Sequence, residues 1–413
     1  MRISPHIFQD TPLLHHSNKN GDTLFFRIDN MKKSLIALAF GTLALGMTEF
    51  VMMGILSDVA SGLNVSIPTA GHNISAYALG VTCGAPLLTV AYKYRLKNIL
   101  LFLSALMLLG AMLCSVATNF YMLLTARFIA GLPHGAYFGV GSIAAVRLAD
   151  EDHKTGAVSI MIAGMTIANL LGIPLGTALS HNLTWRVPFV LVALMSLLVL
   201  FYIWKWVPDI GKTEATGYKG QFHFLKTLAP WLILGATCVG NCGIFCMYSY
   251  VNPLMIKAGG FAPEALSLIM VAAGFGMVVG NITSGKLSDH YKPGMVACIT
   301  QACASVALLA IFFAAPCGWL SALLVVVCTT CLFAVSSPQQ FLILKYAPGG
   351  EMLGGASIQM AFNIGNAIGA FCDGLPVEHG LGYNYPALVG VPFAVVGSLF
   401  LLWFSLKYEK GRK

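Results

Sequence analysis

The sequence predicts an all-α membrane protein of twelve transmembrane helices, arranged as two pseudo-symmetric six-helix bundles. Three observations predict it. Of 413 residues, 57% are hydrophobic and 10% charged, against roughly 25% charged in a soluble domain. One core cannot hide that much apolar surface, so the solvent is lipid. The apolar residues also fall into runs of the length that crosses a bilayer, about 20 residues. Finally, the lysines and arginines between the runs cluster on one side. No run alternates as a barrel strand would.

Residues 1–30 are polar, carry His15 and His16, and lack an apolar stretch long enough for a signal peptide. They are expected to be a disordered extension, with Met31-Lys32-Lys33 resembling a natural start. Spans are expected at 34–56, 70–92, 98–117, 120–147, 156–180 and 185–206. A polar linker over 207–229 precedes spans at 230–254, 264–286, 294–315, 319–343, 354–377 and 384–406. The domains are thus a bundle over 31–206, the linker, a bundle over 230–406 and a basic tail over 407–413. Arg186 and Lys257 alone among the loop cations fall on the side opposite Lys93, Arg95, Arg147, Lys205, Lys286, Lys345 and Lys407. The positive-inside rule therefore puts both termini and the linker in the cytoplasm.

The halves repeat. Gly41 and Gly46 match Gly235 and Gly240, Gly80 and Gly84 match Gly276 and Gly280, and Gly172 and Gly176 match Gly365 and Gly369. Parallel repeats joined by a loop are the layout of carriers whose halves rock around a midplane site.

The net charge of +8 sits in short loops, which fits contact with anionic lipid rather than nucleic acid. The eleven cysteines lie mostly inside apolar runs. Cys328-Thr-Thr-Cys331 and the Cys242/Cys246 pair have no nearby His or acid to complete a metal site, so no metal or disulfide is expected. No clustered His-Glu-x-x-His or Ser/His/acid set supports an enzyme. No phosphate loop or large soluble domain supports a nucleotide-driven pump, and no cofactor is implied.

Against this background a few intramembrane polar residues stand out. Arg127 and His134 lie in the apolar run Tyr121–Val146, beside a stripe of Gly131, Gly135 and Gly139 and next to Pro133. Glu49 lies in the middle of the first span. Such charges face a bundle interior or a water-filled path, and a carboxyl that gains and loses a proton there is what proton coupling requires. Arg127 could instead only staple the bundle to a carboxylate, and Glu49 could be a structural acid. Asp373 is a third coupling candidate, or else a residue at the far mouth. Candidate solute contacts inside the spans are His134, Asn169, Asn241, Tyr248, Asn252, Gln339, Gln340, Gln359, Asn363 and Asn366.

Several stretches carry a family resemblance: GMTEFVMMGIL, SIPTAGHNISAYALGV, RFIAGLPHGAYFGVGS, GMTIANLLGIPLGT and AFNIGNAIGA. Together they make the chain, from Met31 to its end, resemble the major facilitator superfamily. Within it the chain is similar to the drug and sugar efflux branch of AraJ-like arabinose efflux permeases. The resemblance implies that Arg127 and Gly131 belong to a fourth-helix motif associated with proton coupling. It implies that Gly164, Gly172, Pro174 and Gly176 form a fifth-helix motif associated with antiporters. Gly285 and Asp289 resemble the cytoplasmic loop motif, whose acid pairs with basic residues beside a helix end and latches one state. Thr89 and Lys93 replace the expected Gly and Asp in the first half. The expected function is export of a small solute, an arabinose-like sugar or drug-like compound, by proton antiport with alternating access. The partners are then that solute, protons and the lipid of an inner membrane, with the chain a monomer. Import by proton symport, and export of nucleosides or purines, remain the alternatives.

Overall fold

A computed structural model describes residues 22–65, 67–91, 93–212, 220–372 and 374–409. The first half contains α1 (Asp22–Gly54), α2 (Ile67–Gly84, continued by Ala85–Leu87 and Leu88–Ala91), α3 (Leu96–Ser115) and α4 (Phe120–Leu148). It is completed by α5 (Lys154–Ile167, a π turn at Ala168–Gly172, then Ile173–Asn182) and α6 (Val187–Trp206). The second contains α7 (Leu228–Tyr248), α8 (Pro263–His290), α9 (Pro293–Ala314), α10 (Trp319–Ala334 and Ser336–Tyr346), α11 (Glu351–Cys372) and α12 (Tyr385–Tyr408). Among the described residues, ten helices are long and apolar enough to cross a membrane. The other two expected spans, α2 and α11, are helical as well. Gln359, Asn363 and Asn366 dilute the apolarity of α11, and α2 is interrupted where Pro86 removes a backbone donor. The helix α1 starts at Asp22, inside the stretch expected to be a disordered extension, while residues 1–21 lie outside the described residues.

The packing repeats as the glycines do. In the first half α1 packs on α5 and α6, α2 on α4, and α3 on α4 and α6. In the second, α7 packs on α11 and α12, α8 on α10, and α9 on α10 and α12. These are the same pairs shifted by six helices. Two of the three glycine pairs serve equivalent contacts. Gly80 and Gly84 admit the backbone of α4, as Gly280 admits that of α10; Gly172 and Gly176 face α1, as Gly365 and Gly369 face α7. Gly41 and Gly235 do not correspond: the first faces Tyr137 of α4, the second Phe400 of α12. Small residues let helix backbones approach closely, which replaces the hydrophobic drive that lipid cannot supply.

Each half also closes on itself at the end carrying the linker. Arg95, before α3, pairs with Asp209 after α6. At the equivalent place Glu409, after α12, accepts from the Gly294 amide at 3.0 Å, at the start of α9.

The halves meet through α5 on α8 and α10, and through α11 on α2 and α4. The glycine stripe of α4 explains part of this. Gly131 lies against the Tyr77 carbonyl of α2, whereas Gly139 lies against Met352 and Ala356 of α11. One stripe thus serves a contact within a half at one end and a contact between halves at the other.

Candidate functional site

The buried charges gather in the first half, where α1, α2 and α4 converge. Arg127 is 0% exposed. Its Nη1 donates to the Thr48 carbonyl at 2.5 Å and its Nε to the Asn73 carbonyl at 3.3 Å. Its guanidinium carbon lies 4.4 Å from the centre of the Tyr77 ring. A planar fork with several donors suits two carbonyls and an aromatic face at once. Arg127 makes no ion pair with Glu49, so it is not a staple to that carboxylate; two backbones and a ring hold it instead.

Glu49 is 8% exposed, and its Oε2 has no hydrogen-bond partner among the described residues. The His134 imidazole is its neighbour, with Nδ1 3.9 Å from that oxygen. The same Nδ1 shares a hydrogen bond of 2.8 Å with Tyr77 Oη. The imidazole, fully buried, stacks on Phe138 at 5.3 Å between centroids. A buried carboxyl without a satisfied hydrogen bond is costly and is kept only where something else requires it. Tyr77 and Asn73 were not singled out from sequence. Their spacing of four on one apolar helix, which puts both on one face, is the signal that would have found them.

The second feature is a cavity between the halves. Phe138, Ile162 and Met165 line it from the first half; Thr237, Asn241, Phe333, Ser336, Gln339, Gln340, Ile358, Gln359 and Phe362 line it from the second. Its free volume is only about 10 Å³, room for about one water molecule, so the two halves lie almost closed on each other here. Of the residues proposed from sequence, Asn241, Gln339, Gln340 and Gln359 therefore line it. Gln340 is already engaged: its Nε2 donates to Ser142 Oγ of α4 at 2.9 Å and to the Gly355 carbonyl at 3.1 Å. Asn169 shares a helix face with Ile162 and Met165, and both its amide atoms are buried without partners among the described residues. Asn363 donates to the Gln359 carbonyl of its own helix at 2.9 Å. Tyr248 packs against the Phe245 ring at 5.8 Å. The Asn366 oxygen is buried without a partner among the described residues. Asp373 and the Asn252 side chain lie outside the described residues.

The glycines of the fifth helix have a single task. Gly164 approaches Ala39 and Thr42, Gly172 approaches Met47, and Gly176 approaches Val51, all on α1. Pro174 follows the π turn at Ala168–Gly172. A proline leaves the carbonyl four residues earlier without its donor, and a widened turn accommodates that.

At the linker end Asp289 closes α8 onto α5. Its carboxylate accepts from the Thr155 amide at 2.8 Å and the Gly156 amide at 2.9 Å. The expected basic partners are replaced by the free amides of a helix N-terminus, which attract an anion by both hydrogen bond and dipole. Gly285, one turn back, lies against Ser159. Asn281, buried on the same helix and not foreseen from sequence, bonds Ser159 and Ser337.

A buried carboxyl and arginine beside a cavity between two repeated helical halves is the build of a carrier. The profile described as Major Facilitator Superfamily matches residues 38–370. The chain belongs to the major facilitator superfamily. It is a multi-pass membrane transporter and not an enzyme. The protein named "Putative transporter AraJ" of Escherichia coli (strain K12) is 45% identical over 374 residues, covering 90% of this chain and 95% of that protein. A "Probable sugar efflux transporter" of Helicobacter pylori (strain ATCC 700392 / 26695) is 27% identical, covering 91% and 95%. The superfamily transporter FucP, solved in the outward conformation, shares the fold with a TM-score of 0.73 at 16% identity, covering 90% of this chain and 98% of that one.

Proposed function

We propose that the protein exports a small neutral solute, an arabinose-like sugar or a drug-like compound, in exchange for protons by alternating access. The observation that carries this is Glu49, a buried carboxyl with an unbonded oxygen 3.9 Å from His134, beside an Arg127 whose Nη1 and Nε are taken by backbone carbonyls. A carboxyl already tied into an ion pair would have little to gain from a proton; this one has an open acceptor. The cavity supplies amides from Asn241, Gln339 and Gln359 and rings from Phe138, Phe333 and Phe362, a set that suits hydroxyls on an otherwise apolar body. The similarity to a probable sugar efflux transporter of Helicobacter pylori favours export.

In this reading the linker end faces the cytoplasm of a bacterial inner membrane, as the basic loops favour, and the chain acts as a monomer. Asp289 on α5 and Gly139 on α11 close that end while the cavity faces away. Proton uptake at Glu49 and solute release alternate with the reverse state. The test is efflux of radiolabelled arabinose from proteoliposomes of the purified protein under an imposed pH gradient. Faster efflux when protons run opposite to the solute supports antiport; a rate indifferent to the gradient rejects it.

A further inference from the structure

His134 sits between the two features just described, and its two ring nitrogens have different surroundings. On one side Nδ1 is contested by Tyr77 Oη at 2.8 Å and Glu49 Oε2 at 3.9 Å. On the other, Nε2 is buried and has no hydrogen-bond partner of ordinary length among the described residues. The Gln359 side chain of α11, which lines the cavity, approaches the same ring from the opposite half. The titratable or charged groups around the ring are Glu49 from α1, Tyr77 from α2 and, behind Tyr77, Arg127 of its own helix and Cys114 of α3. Phe138 stacks on its face and keeps that side dry.

We propose that His134 relays the proton to Glu49 by exchanging tautomers and presents the result to the cavity through Gln359. The inference rests on the proton-exchange reading of Glu49. A neutral imidazole carries one donor and one acceptor nitrogen. With Glu49 ionised, Nδ1 bears the hydrogen and Nε2 is the acceptor, which a Gln359 N–H can meet. A hydronium ion reaching the cavity gives its proton to Nε2 and leaves as water. The Nδ1–H bond breaks as the Glu49 O–H bond forms. The ring ends neutral, now with Nε2 as donor and Nδ1 accepting from the Glu49 carboxyl. One proton has been taken up, and no imidazolium persists in a site with little water. The 3.9 Å gap must close to within about 3.2 Å for the transfer, a movement that a turn of the Glu49 side chain supplies. Gln359 then has to present its carbonyl rather than its amide to the ring. The end it offers to a bound solute reverses with the proton.

The experiment is the nitrogen NMR of ¹⁵N-histidine-labelled full-length protein in detergent micelles between about pH 5 and pH 9. The ring shifts separate the two neutral tautomers from imidazolium. Among the histidines whose burial is described, His134 alone is buried, so its signal survives a soluble paramagnetic ion and is absent in His134→Gln. Should His134→Gln not fold, His134→Asn serves for the assignment together with the paramagnetic arm. The expected result is a switch of tautomer with pH in the wild type, and a fixed tautomer across the range in Glu49→Gln. A signal that never switches, that passes into a stable imidazolium, or that still switches in Glu49→Gln overturns the relay. Arabinose transport that follows the gradient while the tautomer stays fixed leaves the antiport reading intact and removes only the relay. Transport indifferent to the gradient rejects the antiport reading itself.

Discussion

Ser159 of α5 and Asn281 of α8 exchange two hydrogen bonds across the seam between the halves. The serine hydroxyl donates to the Asn281 carbonyl at 2.7 Å, and the Asn281 amide donates to the Ser159 carbonyl at 2.9 Å. The Asn281 side-chain oxygen also accepts from Ser337 Oγ at 2.5 Å. All three groups are buried, so the network is a polar clasp within an otherwise apolar contact. Asn281→Ala removes one donor and one acceptor and strands the Ser337 hydroxyl, at a cost of about 1–3 kcal/mol. That cost falls only on states in which the seam is closed. Deuterium uptake of peptides covering 154–167 should rise in the variant, and unchanged uptake there would show that the clasp holds nothing.

Gly139 tests the closure of the same end from the other side. An added Cβ would stand 2.5 Å from the Met352 carbonyl oxygen and 2.9 Å from the Ala356 nitrogen. Both are backbone atoms and cannot turn aside. Gly139→Val should therefore keep the linker end from closing, arresting transport while leaving the protein inserted. The check is arabinose exchange in proteoliposomes beside membrane yield; wild-type exchange would mean the contact is not needed in the cycle.

Glu49→Gln keeps the shape of the side chain and removes its charge. Gradient-driven efflux should be abolished, while exchange of labelled for unlabelled solute, which needs no net proton movement, should suffer far less. Equal loss of both would make Glu49 a structural acid.

Arg127→Lys keeps the charge and loses the fork. A single ammonium cannot reproduce the bonds to the Thr48 and Asn73 carbonyls together with the stacking on Tyr77. Hydrogen bonds to charged groups contribute about 1.5–3 kcal/mol, so the melting temperature in detergent should fall measurably along with transport. A variant as stable and active as the wild type would show that only the charge counts.

In the cavity, Asn241→Ala and Gln339→Ala each remove a neutral hydrogen-bonding group lining the proposed solute site. Loss of about 1 kcal/mol of binding corresponds to a rise in KM of about fivefold, with the maximal rate changed less. A fall in rate at constant KM would place these amides in the moving parts rather than the binding surface.

The sequence by itself determined the class, the span count and the repeat. A lipid solvent imposes apolar length on every span, and the small residues that let helices touch are visible as glycines at matched positions. Glu49 and Arg127 stood out for the same reason, since charge inside an apolar run is rare, and Asp289 stood out through its resemblance to the cytoplasmic loop motif. Their partners were not. Arg127 is held by the carbonyls of Thr48 and Asn73, and Asp289 by the amides of Thr155 and Gly156. Backbone groups are present at every residue and leave no mark in the sequence. Which amides face the cavity was also undecided, because Asn241 and Asn363 look alike along the chain. Helix rotation and the meeting of α7, α10 and α11 put Asn241 on the cavity wall and turn Asn363 back onto its own helix. Only the tertiary structure brings His134 of one half toward Gln359 of the other, since that approach depends on how two separately packed bundles lie against each other.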